Sequence, residues 1–249
     1  MAYSHGKNAE VQVGKFNLGQ YLRDITISFD QDTAETSTFG DSAKEFIVGM
    51  KNCTIAMSGL FDNTATTGSD ALMNTIFLAG AETPVSTSFG TTDGNPAWLF
   101  AGLNTSYELS ASIGDAVSFS ANMQGSYAQT AATSSVGSGA SAGILLNRAT
   151  VTATSNSTSI DNSASSATGL IANLHIPTNT HNNTVIVKIQ HSTDNSSWAD
   201  LITFTTVTAT TTTSERKYVS GTVNRYLRVS YTCAGTGSCT PRVYCSRTP

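Results

Sequence analysis

Apolar and polar positions alternate with a period of two through most of this chain, and that period predicts strands. Residues 21–31, YLRDITISFDQ, offer Leu22, Ile25, Ile27 and Phe29 as inward positions. Residues 51–62, KNCTIAMSGLFD, alternate again, with Cys53, Ile55 and Met57 on one face and Thr54 and Ser58 on the other. Three further strands are expected in ETPVSTSFG, PAWLFAGLNTSYELSAS and DAVSFSANMQGSY, the last two joined by SIGD as a tight turn. One stretch changes period. In GSDALMNTIFLAG, residues 68–80, Leu72, Met73, Ile76 and Phe77 share a helical stripe, Ser69 or Asp70 can cap it, and Gly80 stops it.

Residues 128–143, AQTAATSSVGSGASAG, hold almost no large apolar side chain and read as a small-residue linker. Beyond it the strand pattern restarts in ILLNRATVTATS, GLIANLHIP, NTVIVKIQHSTDNSSWADLITFTTV, RKYVSGTVNRYLRVSYT and PRVYCSR. Short strands spaced by turn signals suggest a β-sandwich. The expected fold is therefore mainly β: residues 1–127 as a sandwich or barrel with one short helix, and residues 144–249 as a second β-sandwich domain.

Composition supports that class. The chain has 249 residues, ample for one or two cores, and its Thr and Val excess favours strands. Only 12% of residues are charged and the net charge is -4, which argues against gripping nucleic acid through its phosphates. It leaves room for a surface past which nucleic acid slides without sticking. The opening MAYSHGKNAEVQVG has no apolar core of a signal peptide, so synthesis in a cytoplasm is expected, and no run is long enough to insert in a membrane. Four cysteines stand at 53, 233, 239 and 245, in spacings that fit structural zinc poorly. Cys233 and Cys239 flank AGTGS and could face each other across a hairpin, or all four are free thiols on strands.

Signatures of chemistry are sparse. His5, His175, His181 and His191 share no metal-ligand spacing, and there is no nucleophile elbow, P-loop or dinucleotide turn. No cofactor is expected. The carboxylates Asp24, Asp30, Asp32, Glu35, Asp41 and Glu45 crowd the first quarter and read as a solvated negative face rather than an acid pair. Trp198, beside the turn in HSTDNSSWADL, reads as a core residue, or with Arg225 or Arg228 as a carbohydrate platform.

The least ordinary stretch is TSTFGDSAKEFIVGMKNCTIAMSGLFD, residues 36–62. About twenty residues separate the two strands around it, a length usually reserved for functional or disordered loops. From Asp24 to Asp62 the order of features resembles the tail tube (major tail) proteins of long-tailed bacteriophages. The carriers are Thr38, Phe39, Gly40, Asp41, Ser42, Lys44, Glu45 and Gly49, then Ser58 and Gly59. The resemblance continues through YELSASIGDAVSFSANMQGSY, and VKIQHSTDNSSWADL with VNRYLRVSYT is similar to the domain appended to some tail proteins.

That resemblance implies a structural virion protein, not an enzyme, whose protomers close into hexameric rings that stack into a tube for DNA. Its implied partners are further copies of itself and the tape measure and tail terminator proteins; a host-surface glycan on the C-terminal domain is a separate expectation. Its place is the virion tail. The subunit interface falls on Thr38, Phe39, Gly40, Asp41, Lys44, Glu45, Phe46 and Gly49. Phe39 would bury in a neighbour, and Lys44 with Asp41 and Glu45 would pair across subunits. A head decoration or fibre protein and a carbohydrate-binding β protein are the alternatives.

Overall fold

The computed structural model describes residues 6–65, 67–126 and 140–247. After a 3-10 turn at Gly6–Asn8 the elements run β1 (Glu10–Val13), β2 (Phe16–Asn17), β3 (Leu22–Glu35), β4 (Phe46–Leu60), α1 (Ser69–Ala79), β5 (Thr83–Ser88), β6 (Pro96–Ser110) and β7 (Ser118–Gly125). The chain continues with β8 (Ala140–Arg148), β9 (Ser155–Asn156), β10 (Ile160–Asp161), β11 (Leu170–Ile176), β12 (Val185–Ser192) and β13 (Ala199–Thr203). β14 (Thr213–Val219), β15 (Tyr226–Cys233) and β16 (Arg242–Arg247) complete it. The protein is mainly β with one helix among the described residues, and its larger antiparallel sheet curls into a half-barrel.

Strand β6 organises the larger sheet. Residues 97–102 pair with β5 while 96–100 pair with β8, so those strands occupy its two edges; 102–110 pair with β7. From β7 the sheet passes to β4 and then β3. From β8 it passes through β16 and β11 to β14. β8 starts inside the small-residue segment, whose residues 128–139 lie outside the described part of the chain.

Alternation fixes which side chains enter the cores. Cys53, Ile55 and Met57 of β4 and Phe119, Ala121 and Met123 of β7 face inward, as the period-two pattern requires. They pack with Val11, Val13, Val85 and Phe100, and helix α1 closes the cluster with Leu72, Met73 and Ile76. Each buried Val, Leu, Ile, Met or Phe side chain of this cluster contributes roughly 1.5–3 kcal/mol. Gly80 ends the helix in the left-handed conformation at φ 58°. The other two helix expectations change: Phe77 is exposed, and the N-cap is Gly68 with no side-chain cap. Ser69 instead accepts from the Asp62 amide at 2.9 Å and donates to the Leu60 carbonyl at 3.0 Å, tying the helix to the end of β4.

The second core lies between β8, β16, β11 and β14 on one side and the five-stranded sheet β10-β15-β12-β13, with β9, on the other. It holds Leu170, Leu174, Val187, Ile189, Leu227, Val229 and Val243, all fully buried. Trp198 is not among them. It is half-buried, with the Arg228 guanidinium 4.2 Å from its ring centre, because it follows the β12–β13 turn rather than alternating within a strand.

A polar seam joins the two halves. Arg216 Nη1 donates to Asn173 Oδ1 at 3.0 Å, and Asn173 Nδ2 donates to Ser86 Oγ at 3.0 Å. His175 is fully buried with Nδ1 2.6 Å from the Gly14 carbonyl and Nε2 2.8 Å from Ser86 Oγ. A neutral ring protonated at Nδ1 satisfies both contacts, since Ser86 then donates to Nε2. Beside it the buried Glu10 carboxylate pairs with Arg242 at 2.9 Å and Arg148 at 3.1 Å. Apart from the Arg216–Asn173 bond, which lies within the later part and orients Asn173, each of these bonds bridges residues before 101 and residues after 147.

Candidate functional site

The stretch read as a long loop is largely a ribbon. β3 and β4 stay paired through Thr33↔Val48, Ala34↔Ile47 and Glu35↔Phe46, so the connection proper is residues 36–45. β7 covers β4 only over residues 54–60. Residues 46–52, with their partners on β3, therefore reach past the four-stranded body by roughly 20 Å at strand rise. All seven are exposed. A lone two-stranded ribbon is only marginally stable in water.

Its chemistry is what makes it a site. Phe46, Ile47, Val48 and Met50 are 56, 59, 72 and 80% exposed, and Phe39 at the turn is fully exposed. Consecutive residues of a strand point to opposite faces, so this ribbon shows apolar side chains on both sides. Exposed apolar strand residues of this density mark an interaction surface. The register shifts between Gln31 and Thr33, and Gly49 lies at that irregularity. A Cβ on Gly49 would stand 2.9 Å from Asp32 Cβ and 3.2 Å from its carbonyl, so glycine lets the strands close there. Gly40 meets no such crowding.

The turn is internally bonded. Asp41 Oδ2 accepts from the Thr38 amide at 2.6 Å and the Thr38 hydroxyl at 3.0 Å, while the Asp41 amide donates to the Thr38 carbonyl at 3.1 Å. The Thr38 amide bond, then the hydroxyl bond, holds the Asp41 carboxyl below its ordinary range. The Glu45 amide donates to Ser37 Oγ at 2.8 Å, and the Thr36 amide to the Glu45 carbonyl at 2.9 Å. Lys44 pairs with Glu35 of its own chain at 3.1 Å, an exposed pair of little energetic weight. The structure thus gathers Thr38, Phe39, Gly40, Asp41, Lys44 and Glu45 at the tip, and puts Phe46 and Gly49 on the ribbon. Ile47, Val48 and Met50 belong with them; the signal was FIVGM, an apolar run with no inward alternation.

Two further features lie on the body. β3 pairs only with β4, and residues 103–110 of β6 pair only with β7 among the described residues, leaving two open edges on one four-stranded sheet. The solvent face between those edges carries Asp24, Thr26, Ser28 and Asp30 on β3, and Asn52, Thr54 and Ser58 on β4. On β7 and β6 it carries Ser118, Ser120, Asn122 and Gln124, then Ser106, Glu108 and Ser110. Three of these are carboxylates, and Arg23, in the register shift between Leu22 and Asp24, borders the same face beside Ser58, Glu108 and Ser120.

The remaining candidates are structural. No cluster of His, Cys, Asp and Glu suited to a metal occurs among the described residues. All four cysteines are free thiols, and burial pushes Cys53, Cys239 and Cys245 up to about 12. Arg225 is taken up by Asp161 in a two-point contact of 2.6 and 2.7 Å. No described helix is long and apolar enough to cross a membrane.

No family model matches the chain, and no curated protein matches it. Among solved structures it is similar to a chain of the virion of a native gene transfer agent particle, with 21% identity and a TM-score of 0.40, over 51% of this chain and 96% of that one. A chain from the tail of the empty gene transfer agent particle gives 17% identity and a TM-score of 0.40, over 53% and 100%. The Dit protein of phage SPP1, described as a hub adsorption apparatus, gives 9% identity and a TM-score of 0.37, over 96% and 98%. These neighbours are tail and virion proteins. All three TM-scores lie under 0.5.

Proposed function

We propose that this protein is a structural protomer of a phage-type tail tube. The observation that carries the reading is the bare β3–β4 arm, since a monomer gains nothing from holding Phe39, Phe46, Ile47, Val48 and Met50 in water. The open edges of β3 and β6 lie on opposite sides of one sheet, a heterologous arrangement that closes into a ring when repeated by rotation. Six copies would place the small polar face with Asp24, Asp30 and Glu108 toward a central channel. The carboxylates of that face, with Arg23 the cation at its rim, keep it from gripping phosphate, so DNA passes without tight binding.

The arm then joins one ring to the next, with the tape measure and tail terminator proteins as partners at the inside and the end. Residues 144–249 form an outward module held by the buried seam, and a host-surface glycan is its proposed ligand. The working location is the virion tail after synthesis in the host cytoplasm. The role is assembly, with no catalytic step.

Electron microscopy of the purified full chain tests this reading. Six-fold rings or hollow tubes at raised concentration are the expected result. A chain that stays monomeric in every buffer, with its arm still exposed to limited proteolysis, would remove the tube from consideration.

A further inference from the structure

The β3–β4 arm needs a receiving surface, and the opposite end of the same sheet supplies one. β4 runs from Phe46 at the arm to Leu60, where it pairs with Ser118 at the start of β7. The β6–β7 turn, residues 111–117, is therefore at the far end of the sheet from Phe39. Its tip is apolar too. Ile113 is fully exposed, and Leu109 and Val117 are exposed beside it. The Val117 carbonyl accepts from the Phe61 amide at 3.0 Å, which fixes the turn on the end of β4.

Two clefts of about 330 and 340 Å³ open at this end, one lined by Ser58, Glu108, Leu109, Ser118 and Phe119, the other by Val11, Leu22 and Ile25, with Arg23 common to both. Each is large enough to take an aromatic side chain. Arg23 makes no ion pair among the described residues, while the arm carries Asp41 and Glu45.

We propose that the turn bearing Leu109, Ile113 and Val117 is the receptor for the Phe39 arm of a second copy of this chain. Donor and receptor sit at opposite ends of β4, so a shift along the strand direction brings one copy's arm onto the next copy's turn. Neither surface pairs with itself. Such a contact is open-ended and propagates, whereas an arm-to-arm contact would stop at two layers. This inference rests on the tube reading and adds the surface that receives the arm.

The test is a photo-crosslinking experiment on the full chain with a benzophenone amino acid at position 39, mixing light and 15N-labelled protein. Mixed-isotope crosslinks between position 39 and the peptide spanning 109–117, in samples that show tubes, are the expected result. Ile113→Asp, an exposed change that leaves the monomer folded, should raise the concentration needed for tubes about tenfold or more. Tubes whose crosslinks map to residues 36–50 of a neighbour, or elsewhere, would overturn the receptor and leave the tube reading standing. Ile113→Asp tubes that form at the wild-type concentration would also overturn it. Absence of rings and tubes in all samples would overturn both.

Discussion

Acid should loosen the seam between the two halves, and His175 sets how much. The ring is fully buried, with Gly14 of the β1–β2 turn, Ser86 of β5, Arg216 of β14 and Tyr244 of β16 around it. Burial, the dominant cause, lowers its pKa from 6.5 to about 4; the Gly14 bond opposes this and the Arg216 charge adds to it. The folded value lies below the unfolded one, so the unfolded chain takes up the proton first as pH falls. The stabilisation is fully present above pH 6.5, declines as pH falls, and is gone below about 4. That difference in pKa corresponds to about 3 kcal/mol at 1.36 kcal/mol per unit. A loss of this size is a large part of the stability of an ordinary domain. Urea unfolding of the full chain at intervals from pH 7 to 4 measures it, with His175→Gln as comparison. The variant should be weaker at pH 7 yet nearly flat across the window. Part of the residual slope will come from His191, whose pKa is also lowered by burial and then by Arg247. Equal slopes for the two proteins, or an imidazole resonance of His175 titrating near its ordinary value, would refute the reasoning.

Four other outcomes are expected. Phe39→Ala should abolish tubes, because buried interface aromatics are often worth more than about 2 kcal/mol, while monomer stability changes by less than about 0.5 kcal/mol; calorimetry and microscopy on one sample separate the two. Glu10→Gln leaves Arg242 and Arg148 without their buried carboxylate and should cost about 3 kcal/mol in denaturant unfolding. Gly49→Val should shift or fray the ribbon register through its clash with Asp32, read as faster amide exchange in residues 46–50 with the body unchanged. Iodoacetamide at pH 8 should leave Cys53, Cys239 and Cys245 unmodified in the folded chain and label them all in urea, by intact mass, since burial keeps these thiols protonated.

Period-two alternation was enough to read most strands and their inward faces, because one face of a sheet must leave water whatever its partners are. Leu72, Met73 and Ile76 on the helix were legible for the same reason, as was Gly80, whose positive φ is a local requirement. The candidate segment was legible as unusual through its aromatic and charged residues. Its form was not. Strand pairing beyond Gln31 depends on Thr33, Ala34 and Glu35 finding Val48, Ile47 and Phe46 across a shift in register, a choice no local pattern makes. Trp198 reads as a core residue from its size, and the turn before it leaves it half-buried under Arg228 instead. Asn173 and His175 read as ordinary polar strand residues, yet they are buried because β11 is held against β5 and the β1–β2 turn more than seventy residues earlier in the chain. The open edges of β3 and β6, and the placement of Ile113 at the opposite end from Phe39, follow from strand order. Strand order is fixed by long-range burial and hydrogen-bond closure, so only the tertiary structure decides it.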